Sequence, residues 1–357
     1  MFLKNAQQAL RLAAWPPTPE NLDAAYKGLL TGLHHLAEKG IATVSDAGGY
    51  WPRGHHEAWL RAEKEGALTV CACNALYVSP DLPFEKQIQD LKRIYSNDPD
   101  RRVRFNQAKI YADGILSQGT GALYEPYDEF FDLPDPPERG FLYFKPKMLN
   151  RYAYALEKIG FQLHFHATGD RGAGLALDAI EHALKQSGIR DRRHRITHLY
   201  LIDRKDRPRF KTLGVVADFQ LSPDSIDPDY ADYMEEYIGD RAHELLPVAS
   251  MLDSGAKVIL SSDWDADVLE PFEKIETVVT RATNGIPGIA TAIKMMTLDA
   301  AYLLHHEDKT GSIEEGKLAD LIILDQDLFT IPTNQIKNTK VLMTLLSGEE
   351  VYRAPGF

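Results

Sequence analysis

Four residues stand where short apolar runs of this 357-residue chain end, and together they have the chemical types of a metal centre. Lys109 follows Gln107-Ala, His166 closes Gln162-Leu-His-Phe-His166, His198 closes Arg195-Ile-Thr-His198, and Asp263 closes Leu260-Ser-Ser-Asp263. Neutral imidazole and carboxylate suit Zn²⁺ and similar divalent ions, with positions kept open for water and substrate. A bound ion of this kind lowers the pKa of its water toward ~7, and a nearby carboxylate accepts the proton. A cationic lysine is a poor ligand unless it is neutral or carbamylated to a carboxylate. Each residue also has a plain structural reading. Either histidine alone reads as a hydrogen-bonded core residue, Lys109 as a salt-bridge partner, and Asp263 as the cap of a turn. The joint pattern, one such residue per strand end in order, favours the metal reading. His164 lies on the same side of its strand as His166, because side chains alternate, and reads as a core or supporting residue one layer deeper. His34-His35, His55-His56 and His305-His306 lie on helical segments or at a helix end and read as solvated or packed.

These residues need a scaffold that repeats. From about residue 20 the chain alternates amphipathic stretches with short β-branched runs. Helices are expected at 24–38, 56–65, 84–95, 146–159, 172–187, 204–213, 244–254, 271–281 and 289–304. Strands are expected at 41–45, 68–78, 103–111, 161–165, 195–199, 215–221 and 257–260. Seven strands, each preceded by a helix, imply a parallel sheet with helical crossovers. Alternation alone fits both a doubly wound open sheet and a closed barrel. Two segments break the rhythm. Residues 114–145 form a long loop containing Leu133-Pro-Asp-Pro-Pro137, and the acidic, Tyr-rich stretch 222–243 reads as a solvated loop or short helix. The tail reads as short strands at 318–324, 341–346 and 349–352.

Composition narrows the partners. Lys plus Arg number 40 against 52 Asp plus Glu, a net charge of −12 that disfavours nucleic acid and anionic membranes. No apolar run approaches the ~20 residues of a membrane span. The two cysteines, Cys71 and Cys73, are ill placed to pair with each other, so a reducing, cytoplasmic location is the expectation. No dinucleotide or P-loop glycine pattern follows a strand, and no G-x-S-x-G elbow is present.

Longer motifs carry a resemblance. His166-Ala-Thr-Gly-Asp170, Arg195-Ile-Thr-His198, Gly214-Val-Val-Ala and Ser261-Ser-Asp263 resemble the amidohydrolase superfamily, in particular its YtcJ-like, amidohydrolase-3 branch. Lys109-Ile-Tyr-Ala-Asp-Gly114, Glu125-Pro-Tyr127, Thr297-Leu-Asp-Ala-Ala301 and the tail running from Gly311-Ser-Ile-Glu-Glu-Gly to Asp325 add to it. The resemblance spans about residues 20–353 and implies a metal-dependent hydrolase on a TIM-like (β/α)₈ barrel with a small β-sandwich. It implies Lys109 as the strand-four bridging residue, carboxylated or not, and His166 and His198 as strand-five and strand-six ligands. Asp263 becomes the strand-eight ligand and proton shuttle, and Asp170 caps or orients the next helix. The metal is expected to be Zn, as one or two ions.

One departure is large. The superfamily pattern places a His-x-His pair on strand one, and residues 1–40 contain neither that pair nor that strand. The expectation is therefore an α/β barrel incomplete at strand one over 1–305, with the C-terminal part of a β-sandwich over 306–357. An open seam between the strands ending at Asp46 and Asp263, an uncovered apolar face on the tail strands, self-association and weak turnover follow from it. The leading function is hydrolysis of an amide or cyclic amide C–N bond in a small molecule. The alternative is a catalytically impaired binding or regulatory relative, or a fragment of a longer enzyme.

Overall fold

The computed structural model describes residues 17–129, 138–188, 191–221, 228–286 and 288–357. The Leu133–Pro137 stretch and Asp224 and Asp227 of the acidic segment lie outside the described residues. The chain divides into two compact units. The first comprises Met1–Lys109, Ile313–Gln326 and Lys340–Phe357; the second comprises Ile110–Ser312 and Asp327–Thr339.

The first unit opens with helix α1, Pro19–Glu38. Pro19 takes the first helical position, where its missing N–H costs nothing, and the Thr18 hydroxyl accepts from the Asn21 amide at 3.2 Å. Tyr26, Leu33, Leu36 and Ala37 form its buried stripe. Strands β1 (Thr43–Val44) and β2 (Ala47–Gly49) both pair in parallel with β3 (Cys71–Tyr77), which pairs in parallel with β4 (Val103–Tyr111). The strand expected at 41–45 is found as β1, and β2 is a second short piece beyond it. The register shifts between Ala47 and Gly49, where Gly48 adopts φ +105 and the strand kinks. Helices α2 (His55–Lys64) and α3 (Phe84–Ile94) provide the crossovers before β3 and β4. The tail forms an antiparallel sheet in the order β11 (Glu349–Arg353), β10 (Val341–Leu346), β9 (Leu321–Leu324). The buried Thr344 hydroxyl donates to the Ala37 carbonyl at 2.7 Å and ties this sheet to α1. Ile313, Leu318, Ile322 and Ile323 of the tail are exposed.

The second unit holds α4 (Pro146–Ile159), β5 (Gln162–Ala167), α5 (Asp170–Ser187), β6 (Arg195–His198), α6 (Arg207–Leu213) and β7 (Val216–Phe219). It continues with α7 (Pro228–Ile238), α8 (Val248–Asp253), β8 (Lys257–Leu260) and α9 (Pro271–Thr280). Strands β5, β6, β7 and β8 are parallel neighbours in that order. They are almost wholly buried, and apolar residues alternate in β5 and β6 with buried polar ones such as His164, His166, Arg195 and Thr197. The helix expected over 289–304 is two helices, α10 (Ile289–Met296) and α11 (Leu298–Leu303). Thr297 breaks it with φ −120 and ψ −88, and its hydroxyl turns back to the Ile293 carbonyl at 2.8 Å.

The acidic segment is structured where it is described. Met234 and Ile238 of α7 bury against Leu116, Leu123, Tyr127 and Leu201, with Tyr230 and Tyr237 packed alongside. Positions 230, 234, 237 and 238 fall on one helical stripe, and the acids occupy the others.

Candidate metal centre

Strand β5 ends in two histidines on one side, and the register separates their jobs. His164 pairs with Arg195 across β5 and β6, and His166 pairs with Thr197 one step further along. The His164 Nδ1 accepts from the Arg195 guanidinium at 2.9 Å, which commits His164 to the interior. Arg195 also donates to Asp218 of β7 at 3.1 Å, and both side chains of that pair are almost wholly buried. The Asp218 carboxylate accepts the Ser261 hydroxyl at 2.7 Å and the Gln220 amide at 3.3 Å. His164 is thus part of a buried polar network one layer below the strand ends.

His166 and His198 meet above that layer. Their ring centroids are 4.4 Å apart with planes at 65°. The His166 Nε2 lies 2.7 Å from the Gly114 carbonyl, which only accepts, so Nε2 carries the hydrogen and Nδ1 the lone pair. The Thr168 hydroxyl donates to the same carbonyl at 2.9 Å, and the Tyr111 ring packs on His166 at 4.7 Å. A carbonyl holding the second nitrogen of an imidazole is the support that metal-binding histidines use. His198 closes β6 with φ +78, a left-handed conformation that costs a β-carbon-bearing residue ~1–2 kcal/mol.

Gly114 is itself held by a carboxylate clamp. Asp113 is fully buried and accepts the backbone N–H groups of Ala122, Thr168 and Gly169 at 2.8, 2.9 and 2.8 Å. Burial pushes its carboxyl up to about 7 against the pull of those three donors. Two glycines let the loops close around it. A Cβ at Gly172 would stand 2.3 Å from the Asp113 carboxylate, and one at Gly169 would stand 2.1 Å from the Ala122 carbonyl. Asp170 is the first residue of α5, and its carboxylate accepts the Tyr124 amide at 2.9 Å and the Arg171 amide at 2.7 Å. It therefore orients the 120s loop against the helix start.

Asp263 lies in the turn after β8 with φ +57 and is exposed. Its carbonyl accepts the Asp267 amide at 3.1 Å, and the Asp267 carboxylate pairs with the buried Lys274 of α9, which anchors the turn. Among the described residues, the one trio of histidine or acidic donors mutually within 4.8 Å is Glu235, Asp240 and His243, all exposed, at α7 and the turn after it. The structure thus brings His166 and His198 together and leaves Asp263 outside so tight a trio. Lys109 is buried, pairs with Tyr77 across β3 and β4, and ends the first of the three segments of the first unit. The paired imidazoles, one with its tautomer fixed, fit a divalent ion as donors.

Asp218, Gln220 and the clamp role of Asp113 were not assigned from the sequence. The available signal was charge inside apolar strands: Arg195 opens one such strand, and Asp218 interrupts the next.

A parallel α/β scaffold with polar side chains at its strand ends is an architecture that many enzymes share, and comparison with known proteins supplies the family. The amidohydrolase family profile matches residues 1–352, and the chain belongs to that family. The chain is 26% identical over 351 residues to the Arabidopsis thaliana protein LONG AFTER FAR-RED 3, covering 93% of this chain and 58% of that one. It is 27% identical over 262 residues to YtcJ of Bacillus subtilis, covering 70% and 47%. It is 29% identical over 214 residues to an N-substituted formamide deformylase of Arthrobacter pascens, covering 57% and 39%. The chain therefore spans about half the length of the curated relatives it matches. An uncharacterized metal-dependent hydrolase from Pyrococcus horikoshii superposes with a TM-score of 0.72 at 22% identity, covering 87% of this chain and 62% of that one. That likeness establishes the fold class, the parallel α/β arrangement of the (β/α)₈ barrel with a small antiparallel sheet. No helix among the described residues is long and apolar enough to cross a membrane.

Proposed function

We propose that this amidohydrolase is a divalent-metal-dependent hydrolase of C–N bonds in small-molecule amides or cyclic amides. The observation that carries the reading is the His166–His198 pair, with the Gly114 carbonyl holding the His166 Nε2 hydrogen. The formamide deformylase relative, named for action on such a bond, supports the bond type. His166, through Nδ1, and His198 are the ligands of this reading, and Asp263 and Lys109 complete the set. Zinc is the proposed metal, as one or two ions, and Lys109 would join the set in carbamylated form. When bound, the ion supplies a water acidified to a pKa of ~7 and a Lewis acid for the carbonyl oxygen. Asp263 takes the proton released as water adds to the carbonyl carbon. The same carboxyl returns it to the nitrogen as the C–N bond breaks. Exposure of Asp263 suits a group that must reach both the water and the departing amine. A cytoplasmic location fits the Cys71 and Cys73 thiols, and self-association fits the exposed apolar residues of the tail.

The test pairs metal analysis with turnover of N-substituted formamides and cyclic amides. His166→Ala and His198→Ala are expected to lose bound metal and hydrolysis together. Lys109→Ala is expected to lower metal occupancy, and Asp263→Asn to depress turnover more than metal content. Full metal occupancy in the double histidine variant would refute the ligand assignment. Unchanged turnover in Asp263→Asn would remove that residue from the mechanism.

A further inference from the structure

The two strand ends that carry His198 and Asp263 are joined by one side chain, that of Gln220. Gln220 follows β7, and its amide nitrogen has two hydrogens to give. It lies 2.7 Å from the Thr197 hydroxyl and 2.6 Å from the Ser261 hydroxyl. Thr197 immediately precedes His198, and Ser261 stands two residues before Asp263. The Ser261 hydroxyl passes its own hydrogen to Asp218 at 2.7 Å, so the chain of donors runs in one direction and ends on a buried carboxylate. The backbone ladder runs up to this point, with Thr197 paired to Asp218 and Phe219 to Leu260, and the Ser261 amide donates to the Phe219 carbonyl at 2.9 Å; the side-chain tie lies at its end.

The arrangement has a cost that packing alone does not explain. The Gln220 Oε1 is buried and accepts no hydrogen bond among the described residues. Turning the amide over would let the oxygen accept from the Thr197 hydroxyl, but it would set that oxygen against the Asp218 carboxylate, now 3.3 Å from the nitrogen, and leave the Ser261 oxygen without its donor. The amide is thus oriented by what its nitrogen holds. His198 and Asp263, the residues just beyond the tie, are both left-handed, at φ +78 and φ +57. An unpaired buried acceptor beside two strained backbones is a local conflict of the sort that functional sites retain.

We propose that Gln220 is a positioning residue that fixes the separation of His198 and Asp263 by clamping the ends of β6 and β8 through Thr197 and Ser261. The proposal rests on the metal-centre reading for its purpose, although its geometry is independent of any metal. A carboxylate that shuttles a proton must hold its distance from the ligand histidine to within ~0.5 Å, and neither flanking backbone is in a relaxed conformation that would hold it unaided.

Two measurements test it. Crystal structures of the wild type and of Gln220→Leu report the His198–Asp263 separation directly, and a change of more than ~0.5 Å is expected. An unchanged separation overturns the clamp. Cobalt(II) titration of the metal-stripped protein reports the dissociation constant and the visible ligand-field band. Gln220→Leu and Thr197→Val are expected to weaken binding about tenfold and shift the band, whereas Thr197→Ser, which keeps the hydroxyl, stays within about twofold of wild type. Equal losses in Thr197→Val and Thr197→Ser overturn the hydrogen-bond assignment, and this pair carries the test if Gln220→Leu does not fold. If the wild type binds no cobalt, the metal-centre reading fails, and the crystallographic separation still decides the clamp.

Discussion

Replacing Asp218 by asparagine keeps the shape of a buried side chain and removes its charge. Arg195 then keeps His164 as a neutral acceptor at 2.9 Å but loses the anion at 3.1 Å, in a place where only 4% of the arginine is exposed. Stripping one partner from a buried ion pair costs ~3–5 kcal/mol, because the remaining charge is neither solvated nor neutralised. The Ser261 hydroxyl and the Gln220 amide keep an oxygen acceptor only if the new amide presents it, so Asp218→Asn belongs in the upper part of that range. Removing both charges together, in Arg195→Met with Asp218→Leu, eliminates the unpaired ion. The double variant leaves only the hydrogen bonds to Ser261, Gln220 and His164 unmade, roughly 1 kcal/mol each. The double-mutant cycle through the single variants Arg195→Met and Asp218→Leu is therefore expected to be strongly non-additive, with a coupling of at least ~2 kcal/mol. Urea unfolding followed by far-UV circular dichroism, with the slope checked against wild type, measures each corner. A single Asp218→Asn loss below ~1 kcal/mol, or a double variant equal to the sum of its singles, would refute the view that Arg195 and Asp218 neutralise each other inside the second unit.

Three further outcomes are expected. His194 is buried, its Nδ1 accepts the Leu163 amide at 2.9 Å, and burial pulls its pKa down to about 3 from the ordinary histidine range. A depressed histidine gives stability that is present above pH ~6.5 and is lost as pH falls toward ~3, up to ~5 kcal/mol, so His194→Asn should flatten the acid limb of an unfolding-versus-pH curve. Gly172→Ala should destabilise by ~1–3 kcal/mol despite the better helix propensity of alanine, because its methyl meets the Asp113 carboxylate; a thermal midpoint at or above wild type would show that the clamp yields. Thr297→Ala removes the hydroxyl that turns back on Ile293, and hydrogen exchange at the 297–301 amides should slow if that bond weakens the junction of α10 and α11.

Much of the fold was legible because its signals are local. The 146–159 helix begins at Pro146 and stops at Gly160, and both ends lie where those residues place them. The break inside 289–304 was not legible, because Ala, Ile and Met carry the helical pattern across Thr297, and whether a threonine hydroxyl turns back on its own helix is set by the surrounding packing. The segment at 41–45 does form a strand, β1, but without revealing the second piece at 47–49. Its β-branched residues mark an extended segment, but the two glycines after Ala47 decide where pairing with β3 slips. In the acidic stretch, counting charges pointed to solvent. The apolar positions 230, 234, 237 and 238 held the opposite information, which only becomes structure once Leu116, Leu123 and Leu201 are there to receive them.

The candidate site divides along the same line. That His166 and His198 end neighbouring strands follows from composition and alternation, and parallel pairing brings their rings to 4.4 Å. Which nitrogen of His166 is offered to a ligand does not follow, because the Gly114 carbonyl that decides it lies 52 positions earlier and is set in place by Asp113. The same holds for Gln220, whose Thr197 and Ser261 partners lie in β6 and just after β8, 23 and 41 positions away. A residue that offers its own atoms to a ligand can be recognised by type and strand-end position. A residue that works by aiming another can be recognised only after the register brings its partners together. The polar layer formed by His164, Arg195, Asp218, Ser261 and Gln220 is of the second kind. The strand-end geometry of His198 and Asp263 is built on that layer, so substitutions in it should alter the site before they alter the fold.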